Sequence, residues 1–440
     1  MLKFHKINLE EDLMNTTIQT VKGTRDFYPD LMQIRNWLYK NIKTISELYG
    51  YQEYEGPFLE RIDLYAAKSG EELVKEQAFV FSDRGGDLVT LRPELTPTLA
   101  RMIAQKQKQF VYPLRWWSYG PFWRYERPQR GRTREFFQWN IDLIGENCSE
   151  ADAEIIAICA AFFEAVGLTE KEVRIHVNDR KLMENVLAEI DTPKDKMHSV
   201  FQLIDRREKM TMDVWQSNAR EIGLDEKQVS QLLNILENKD LWKESENLDR
   251  IFGSLESSGF SKYLTYDANI IRGLDYYTGT VFEARDHGES GRALLGGGHY
   301  DNLVSDVGGD PLPGVGFAMG DVMMTHVLEK YNKLPEQFNS PAEVLVTVFD
   351  ENLYNKSSEI SRNLRKKGIK VVSYSKPARI PKQLKYADRL GIRYVVIIGP
   401  DEVQNEEITL KDLAERQQYT IKQSDLANRL LEMLDKASSV

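Results

Sequence analysis

The sequence predicts an α+β protein built in two parts: an antiparallel sheet with flanking helices and a helical insert, followed by a separate C-terminal α/β domain. Three observations predict it. Between Tyr51 and Gly145, short apolar or aromatic runs (QAFVFSD, DLVTLRPE, PLRWWSYGPFWRYE, EFFQWNIDLIG) are punctuated by Gly and Pro. That is the pattern of strands joined by turns, and no regular βα alternation accompanies it. From about 181 to 258 the chain is polar, with apolar residues at helical spacing. Beyond residue 341, continuous apolar runs alternate with helical segments, the pattern of a mostly parallel sheet covered on both faces.

Residues 1–17 stand outside this pattern as a tail. They mix charge with apolar residues and contain no apolar h-region, so no secretory signal is expected. Over 31–49, Ile34, Trp37, Leu38, Ile42 and Ile45 share one helical stripe that Gly50 terminates. After the strands of 51–145 come a helix over 151–166 and the strand VRIHVN (173–178). In the insert, about 185–258, Val229, Leu232, Leu233 and Leu236 keep helical spacing, as do Leu248, Ile251, Phe252 and Leu255. Strand character returns at Leu264 and runs through RGLDYYTGTVFEA. The polar, Pro-bounded YNKLPEQFNSP (331–341) separates a first domain, 18–335, from a second, 341–440. The second reads VLVTVFD (344–350), a helix over 352–366, IKVVSY (369–374), a helix over 380–390, YVVIIG (394–399), EEITLKDL, QQYTIK and an amphipathic terminal helix.

Composition narrows the function classes. With 440 residues, 41 % hydrophobic and 29 % charged, the chain has the make-up of an ordinary globular protein. Its longest apolar run, Ile155 to Phe163, spans only about half of the ~20 residues a membrane helix needs. Cys148 and Cys159 make no disulfide framework and fit a reducing cytoplasm. The six histidines never fall at metal-ligand spacing, so no protein cage for a metal is expected. The net charge of −10 argues against a simple nucleic-acid coat, but its distribution does not. Between Arg362 and Arg393, eleven basic residues face Asp388 alone, which marks a polyanion-binding face.

Four stretches carry residues suited to chemistry. FWRYERPQRGRTREFFQWNIDLIG (122–145) packs five arginines, at 124, 127, 130, 132 and 134, between two aromatic strands. Arginine grips phosphate through two parallel hydrogen bonds, and such a cluster needs an anionic ligand. Alternation places Arg124 with Glu126 on one face, and Gln138, Asn140 and Asp142 on one face of the return strand. In LRPELTPTLAR (91–101), Glu94 and Thr96 precede a Pro-started helix and can receive an ammonium group. In IIRGLDYYTGTVFEA (270–284), Arg272 lies among apolar residues beside Tyr276 and Tyr277, where a lone charge is costly unless a ligand or partner meets it. LLGGGHYDNLV (294–304) and GVGFAMGDVMM (314–324) supply glycines that permit close backbone approach. GVGFAMG is GxGxxxG rather than GxGxxG, and no G-x-x-x-x-G-K-[ST] occurs, so any nucleotide is held by other means than a Rossmann turn or a P-loop.

In this order, with VKGTRDFYPD (21–30) ahead and a basic α/β domain behind, the four stretches resemble a class II aminoacyl-tRNA synthetase and, among these, the histidyl-tRNA synthetases. The resemblance runs from about Thr20 to the end, and RGLDYYTG is its histidine-specific part. It implies a class II catalytic sheet, an anticodon-binding C-terminal domain, a homodimer formed around Gly56-Pro57-Phe58, no membrane, and a cytoplasmic enzyme. The implied substrates are ATP with Mg2+, L-histidine and tRNA(His). Arg124 and Arg272 are the implied catalytic residues. ATP falls to Arg124, Arg272, Glu126 (adenine side or a bound magnesium), Arg132 (distal phosphates) and Phe136 (adenine ring). Glu94, Thr96 and Gln138 take the α-ammonium of histidine, while Asp142, Tyr276, Tyr277 and Tyr300 form its imidazole pocket. Gln129 and Arg130 meet the tRNA acceptor end, and Lys376, Arg379, Lys382 and Lys385 belong to the basic tRNA face. Three positions depart from the family pattern. Met323 stands where an arginine normally holds phosphate, leaving that charge to Arg132 with Arg285 or Arg292. His299 replaces the arginine of GGRYD, and Asp142 is one methylene shorter than the glutamate of many relatives. An alternative reading is an impaired paralogue that binds histidine or tRNA as a regulatory module.

Overall fold

The computed structural model describes residues 18–66, 76–129, 131–271, 277–288, 293–302, 304–335, 340 and 342–438. The chain divides into two compact units, Met1–Leu334 and Pro335–Val440.

The first unit is organised by an eight-stranded sheet in the order Gln52–Glu53, Leu114–Trp123, Glu135–Ile144, Gly314–Gly320, Ala293–Tyr300, Thr280–Asp286, Val173–Asp179, Leu264–Tyr266. The six inner strands pair antiparallel throughout. Both edge strands pair parallel, so the sheet is mixed rather than purely antiparallel. The reason is connectivity. A parallel pair needs a long crossover, and the helical stretch from Arg180 to Ser257 is the crossover between Val173–Asp179 and Leu264–Tyr266.

The apolar run Ile155–Phe163 lies in the helix Ser149–Ala165, which is buried on nearly every side. A helix apolar all round belongs in a core, and Trp139 packs there against Phe162 (5.2 Å) and Phe317 (4.8 Å). The first helix spans Pro29–Leu48; Pro29 opens it and Gly50, at φ +80°, follows its end. It buries Leu38, Ile42 and Ile45 of the expected stripe. A small antiparallel sheet orders Leu59–Arg61, Leu88–Leu91, Phe79–Ser82. The wholly buried Arg92 joins its base to the large sheet: the guanidinium pairs with Glu55, donates from Nε to the Pro121 carbonyl (3.0 Å), and lies between the rings of Phe58 and Phe122.

The second unit has five strands in the order Val371–Ser373, Val344–Val346, Tyr394–Ile397, Glu407–Asp412, Gln417–Lys422. The first three are parallel and the last two close as an antiparallel hairpin. Alternation along the parallel strands buries both faces: Val344, Val346 and Val396 pack with Ile360, Leu364 and Leu430, while Leu345 and Val395 pack with Ala387 and Ile392. Among the described residues, no helix is long and apolar enough to cross a membrane.

Candidate active site

The site is built on the hairpin Leu114–Trp123/Glu135–Ile144, whose ten strand pairs run unbroken from Leu114–Ile144 to Trp123–Glu135. One further bond, Arg124 N–H to the Arg134 carbonyl (2.9 Å), carries the pairing into the arginine loop. Period-two alternation then turns Gln138, Asn140 and Asp142 to one face, and all three line a cavity of about 120 Å³ together with Glu94, Thr96, Arg124, Tyr277 and Tyr300. Glu94 and Thr96 reach it from the start of the helix Thr96–Lys106. The structure therefore gathers Glu94, Thr96, Gln138, Asp142, Tyr277 and Tyr300 around one volume. Tyr276 and Arg272 lie outside the described residues, as do Arg130 and Arg292.

In the wall of the cavity the Tyr300 hydroxyl donates to Asp142 Oδ1 at 2.9 Å. Burial raises the Asp142 carboxyl from its ordinary 3.8 to about 7, against the opposing pull of the Tyr300 hydrogen bond. The glycines of GVGFAMG make room for this pair. Gly316 is directly opposite Asp142 and Gly314 directly opposite Tyr300. A Cβ on Gly316 would stand 2.2 Å from Asp142 Oδ1, and one on Gly314 would stand 2.6 Å from the Tyr300 ring. The motif that fails as a nucleotide turn is thus the bare wall of a side-chain pocket.

A second cavity of about 180 Å³ adjoins the first at Arg124 and is lined by Glu126, Arg132, Phe136 and Met323, among others. Arg124 is oriented by Nε donation to the Pro93 carbonyl (3.0 Å), and its guanidinium lies 5.4 Å from the Phe136 ring centroid. Arg132 pairs with Glu126 at 3.1 Å. Among the described residues, Arg124 and Arg132 are the cationic side chains lining this cavity. Arg285 does not serve there: it is held by Glu283 and Glu208 and lines neither cavity. Met323 lies in the first turn of the helix Asp321–Lys330. Its buried Asp321 accepts from Phe137 N–H (2.8 Å) and from Arg25 (2.8 Å), tying VKGTRDF and the glycine strand to the hairpin.

His299 faces away from both cavities. Its Nδ1 stands 2.8 Å from Asp152 Oδ1 and its Nε2 3.3 Å from Asp301 Oδ1. Burial opposes its positive charge, but the two carboxylates prevail and raise its pKa. Strand parity accounts for this: Tyr300 points into the site, so His299 points out of it.

Gln129 is exposed at the hairpin tip, and Lys376, Arg379, Lys382 and Lys385 are exposed in the second unit. Two members of the basic run are engaged inside that unit. Arg393 pairs with Asp412 (3.0 Å), and Arg365 donates to the Val371 carbonyl and Ser373 Oγ. Among the described residues no group of three or more His, Cys, Asp or Glu could hold a metal. Asn140 went without an assigned role in the sequence, although its parity with Gln138 and Asp142 was the signal that finds it.

Comparison with known proteins shows the family. The family described as "Histidyl-tRNA synthetase" matches residues 23–322, and the anticodon binding domain family matches 343–433. The chain is 38 % identical over 430 residues to the chloroplastic/mitochondrial histidine–tRNA ligase of Arabidopsis thaliana, covering 95 % of this chain and 88 % of that one. It is 35 % identical over 432 residues to the histidine–tRNA ligase of Leptospira biflexa, covering 96 % and 99 %. The crystal structure of histidyl-tRNA synthetase from Nostoc sp. PCC 7120 superposes with a TM-score of 0.81 at 25 % identity, over 95 % of this chain and all of that one. With a hairpin, a glycine strand and two adjoining cavities assembled from the stretches that carry the resemblance, the chain belongs to the histidyl-tRNA synthetase family.

Proposed function

We propose that the chain is a histidine–tRNA ligase working in two steps. The carboxylate of histidine attacks the α-phosphorus of ATP, forming histidyl-adenylate as the bond to pyrophosphate breaks. The terminal ribose hydroxyl of tRNA(His) then attacks the carbonyl carbon and AMP leaves. The carrying observation is that two cavities of complementary chemistry meet at Arg124. The first, ending in Asp142 and Tyr300, takes histidine; the second, with Phe136 and two arginines, takes ATP. Joining them at one guanidinium sets the nucleophile and the α-phosphate side by side, which is most of what in-line phosphoryl chemistry asks of a protein.

Glu94, Thr96 and Gln138 receive the α-ammonium, and Asp142 with Tyr276, Tyr277 and Tyr300 surrounds the imidazole. Arg124 and Arg272 neutralise charge developing at the α-phosphate, and Phe136 stacks on adenine. Arg132 exchanges Glu126 for the distal phosphates, covering the charge that Met323 leaves unmet. Mg2+ arrives with ATP and adds charge neutralisation when bound; Glu126 fits as its protein ligand, since Mg2+ commonly takes one or two carboxylates beside water and phosphate.

The exposed apolar residues Phe58, Leu59, Val80, Phe81 and Leu88, on and beside the small sheet, support the reading of a homodimer. Gln129, Arg130, Lys376, Arg379, Lys382 and Lys385 contact tRNA, and the exposed rings of Phe349 and Tyr386 offer stacking surfaces for unpaired bases. The exposed free Cys148 and buried free Cys159 suit a reducing cytoplasm. No observation favours the regulatory alternative.

Purified protein given labelled histidine, ATP and tRNA(His) should charge the tRNA. The affinity for tRNA should fall at least about tenfold between low and physiological salt, the loss expected when several phosphates are contacted. Absence of charging overturns the proposal, and salt-independent affinity overturns the basic tRNA face.

A further inference from the structure

His299, which faces away from both cavities, is a buried titratable group that the roles above leave unused. It is 4 % exposed and lies between two carboxylates. Asp152 Oδ1 is 2.8 Å from Nδ1, and Asp301 Oδ1 is 3.3 Å from Nε2, at ion-pair rather than hydrogen-bonding geometry. A neutral imidazole carries a single N–H. Whichever nitrogen held it, the other would turn a lone pair onto a carboxylate, so the imidazolium is the form that suits both contacts.

Each carboxylate also grips the end of the histidine-specific stretch RGLDYYTG or the residue just after it. Asp301 Oδ2 accepts from the Thr278 hydroxyl (2.8 Å), and Asp152 Oδ2 accepts from the Thr280 hydroxyl. The His299 carbonyl accepts from Thr278 N–H (2.8 Å). Between the two threonines, Gly279 lies against the His299 side chain, where a Cβ would stand 3.4 Å from His299 Cβ. The residue before this clamp is Tyr277, which lines the histidine cavity. The residue after His299 is Tyr300, which donates to Asp142. His299 is thus tied, within one residue on each strand, to two tyrosines of that cavity.

We propose that the His299 imidazolium is a positioning residue for adenylation: by holding Asp152 and Asp301 together it fixes the segment Tyr277 to Thr280, and with it the wall against which histidine is set for attack on ATP. This rests on the reading of the cavity as the histidine site. The clamp is also titratable. The arginine of the family pattern keeps its charge at every working pH, whereas a histidine loses it. Burial opposes the charge on His299, but the Asp152 and Asp301 carboxylates outweigh it and lift the pKa above the ordinary 6.5. The other ionisable groups on this side, Cys148, Asp179 and Lys181, line with His299 a polar cavity of about 190 Å³. Asp179 is engaged there by the Lys181 N–H (2.7 Å) and the Asn247 amide (2.7 Å). The clamp is therefore complete below pH 6.5 and is lost as pH rises through the raised value. The same cavity leaves room for a longer guanidinium.

The test is histidine-dependent exchange of labelled pyrophosphate into ATP by wild type, His299→Asn and His299→Arg, across neutral and alkaline pH. Asparagine keeps a donor for Asp152 but supplies neither the charge nor the contact with Asp301. His299→Asn should lower kcat about a hundredfold, the cost of misplacing a reactant by about an ångström. Its KM for histidine should stay within about threefold, since the Asp142–Tyr300 pair that receives the ring is left intact. His299→Arg should keep kcat within about threefold at neutral pH, and on the alkaline side the wild-type kcat should fall where that of His299→Arg holds level. A kcat for His299→Asn within about threefold of wild type, with or without a lowered melting temperature, overturns the proposal and makes His299 structural. His299→Arg as slow as His299→Asn, or parallel pH profiles in wild type and His299→Arg, also overturns it. Should neither variant fold, Thr278→Val decides, because it removes the grip of Asp301 alone: the loss of kcat at unchanged KM is expected, and an unchanged kcat is contrary. Failure of wild type to exchange with histidine would sink the reading of the cavity and the proposal with it, whereas wild-type exchange beside an unaffected His299→Asn sinks the proposal alone.

Discussion

Arg124→Ala should lower the rate of histidyl-adenylate formation about a thousandfold, the loss seen when a preorganised charge stabiliser is removed from a developing anion. The residue is the junction of the two cavities, so both substrates lose a contact at the point where they react. The fold should not suffer. The side chain is partly exposed, and the hydrogen bond it makes among the described residues is the Nε donation to the Pro93 carbonyl. A melting temperature within a few degrees of wild type, alongside the lost rate, is the expected pair of results. A rate within tenfold of wild type would mean that the α-phosphate is neutralised elsewhere.

Asp142→Asn should raise the KM for histidine about a hundredfold, because an amide cannot provide the charge-assisted acceptor that an imidazole N–H finds in a carboxylate. It should also change the pH profile. In the empty pocket burial holds the Asp142 carboxyl at about 7. Below that pH the carboxyl is protonated, and histidine binding must displace the proton; above it the acceptor is ready. The wild-type KM should therefore be flat on the alkaline side and rise as pH falls through 7. The substrate imidazole titrates near ~6.5 as well, so Asp142→Asn is the reference: the part of the profile belonging to Asp142 is the part the variant loses. Parallel profiles in the two proteins would place the acceptor elsewhere.

Much of this site was legible in the sequence because its information is local. Strand alternation puts Gln138, Asn140 and Asp142 on one face whatever they pack against, and the same parity puts Tyr300 inward and His299 outward. The Pro-started helix after Glu94 delivers Thr96 by the same kind of short-range rule. What escaped depends on distant partners. The parallel pairing of both sheet edges is decided by crossovers of tens of residues, which no local pattern records. Arg393 reads as part of a basic surface until Asp412, on another strand, is seen beside it. Arg285 is a reasonable candidate to stand in for Met323, yet it is paired with Glu208, in the helical insert, and lines neither cavity. The glycines at 314 and 316 were legible as a need for close approach, but not as a wall fitted to Asp142 and Tyr300, since that depends on which strands become neighbours.

The most direct test of the central claim is exchange of labelled pyrophosphate into ATP by the purified protein, measured with each of the twenty amino acids in turn. Exchange with histidine alone is the predicted result: it would show adenylation, selectivity by the Asp142 pocket, and a nucleotide cavity that works with Met323 in place of arginine. No exchange with histidine, from protein that is folded and binds tRNA(His), would contradict the account and leave the two cavities as a binding site without turnover.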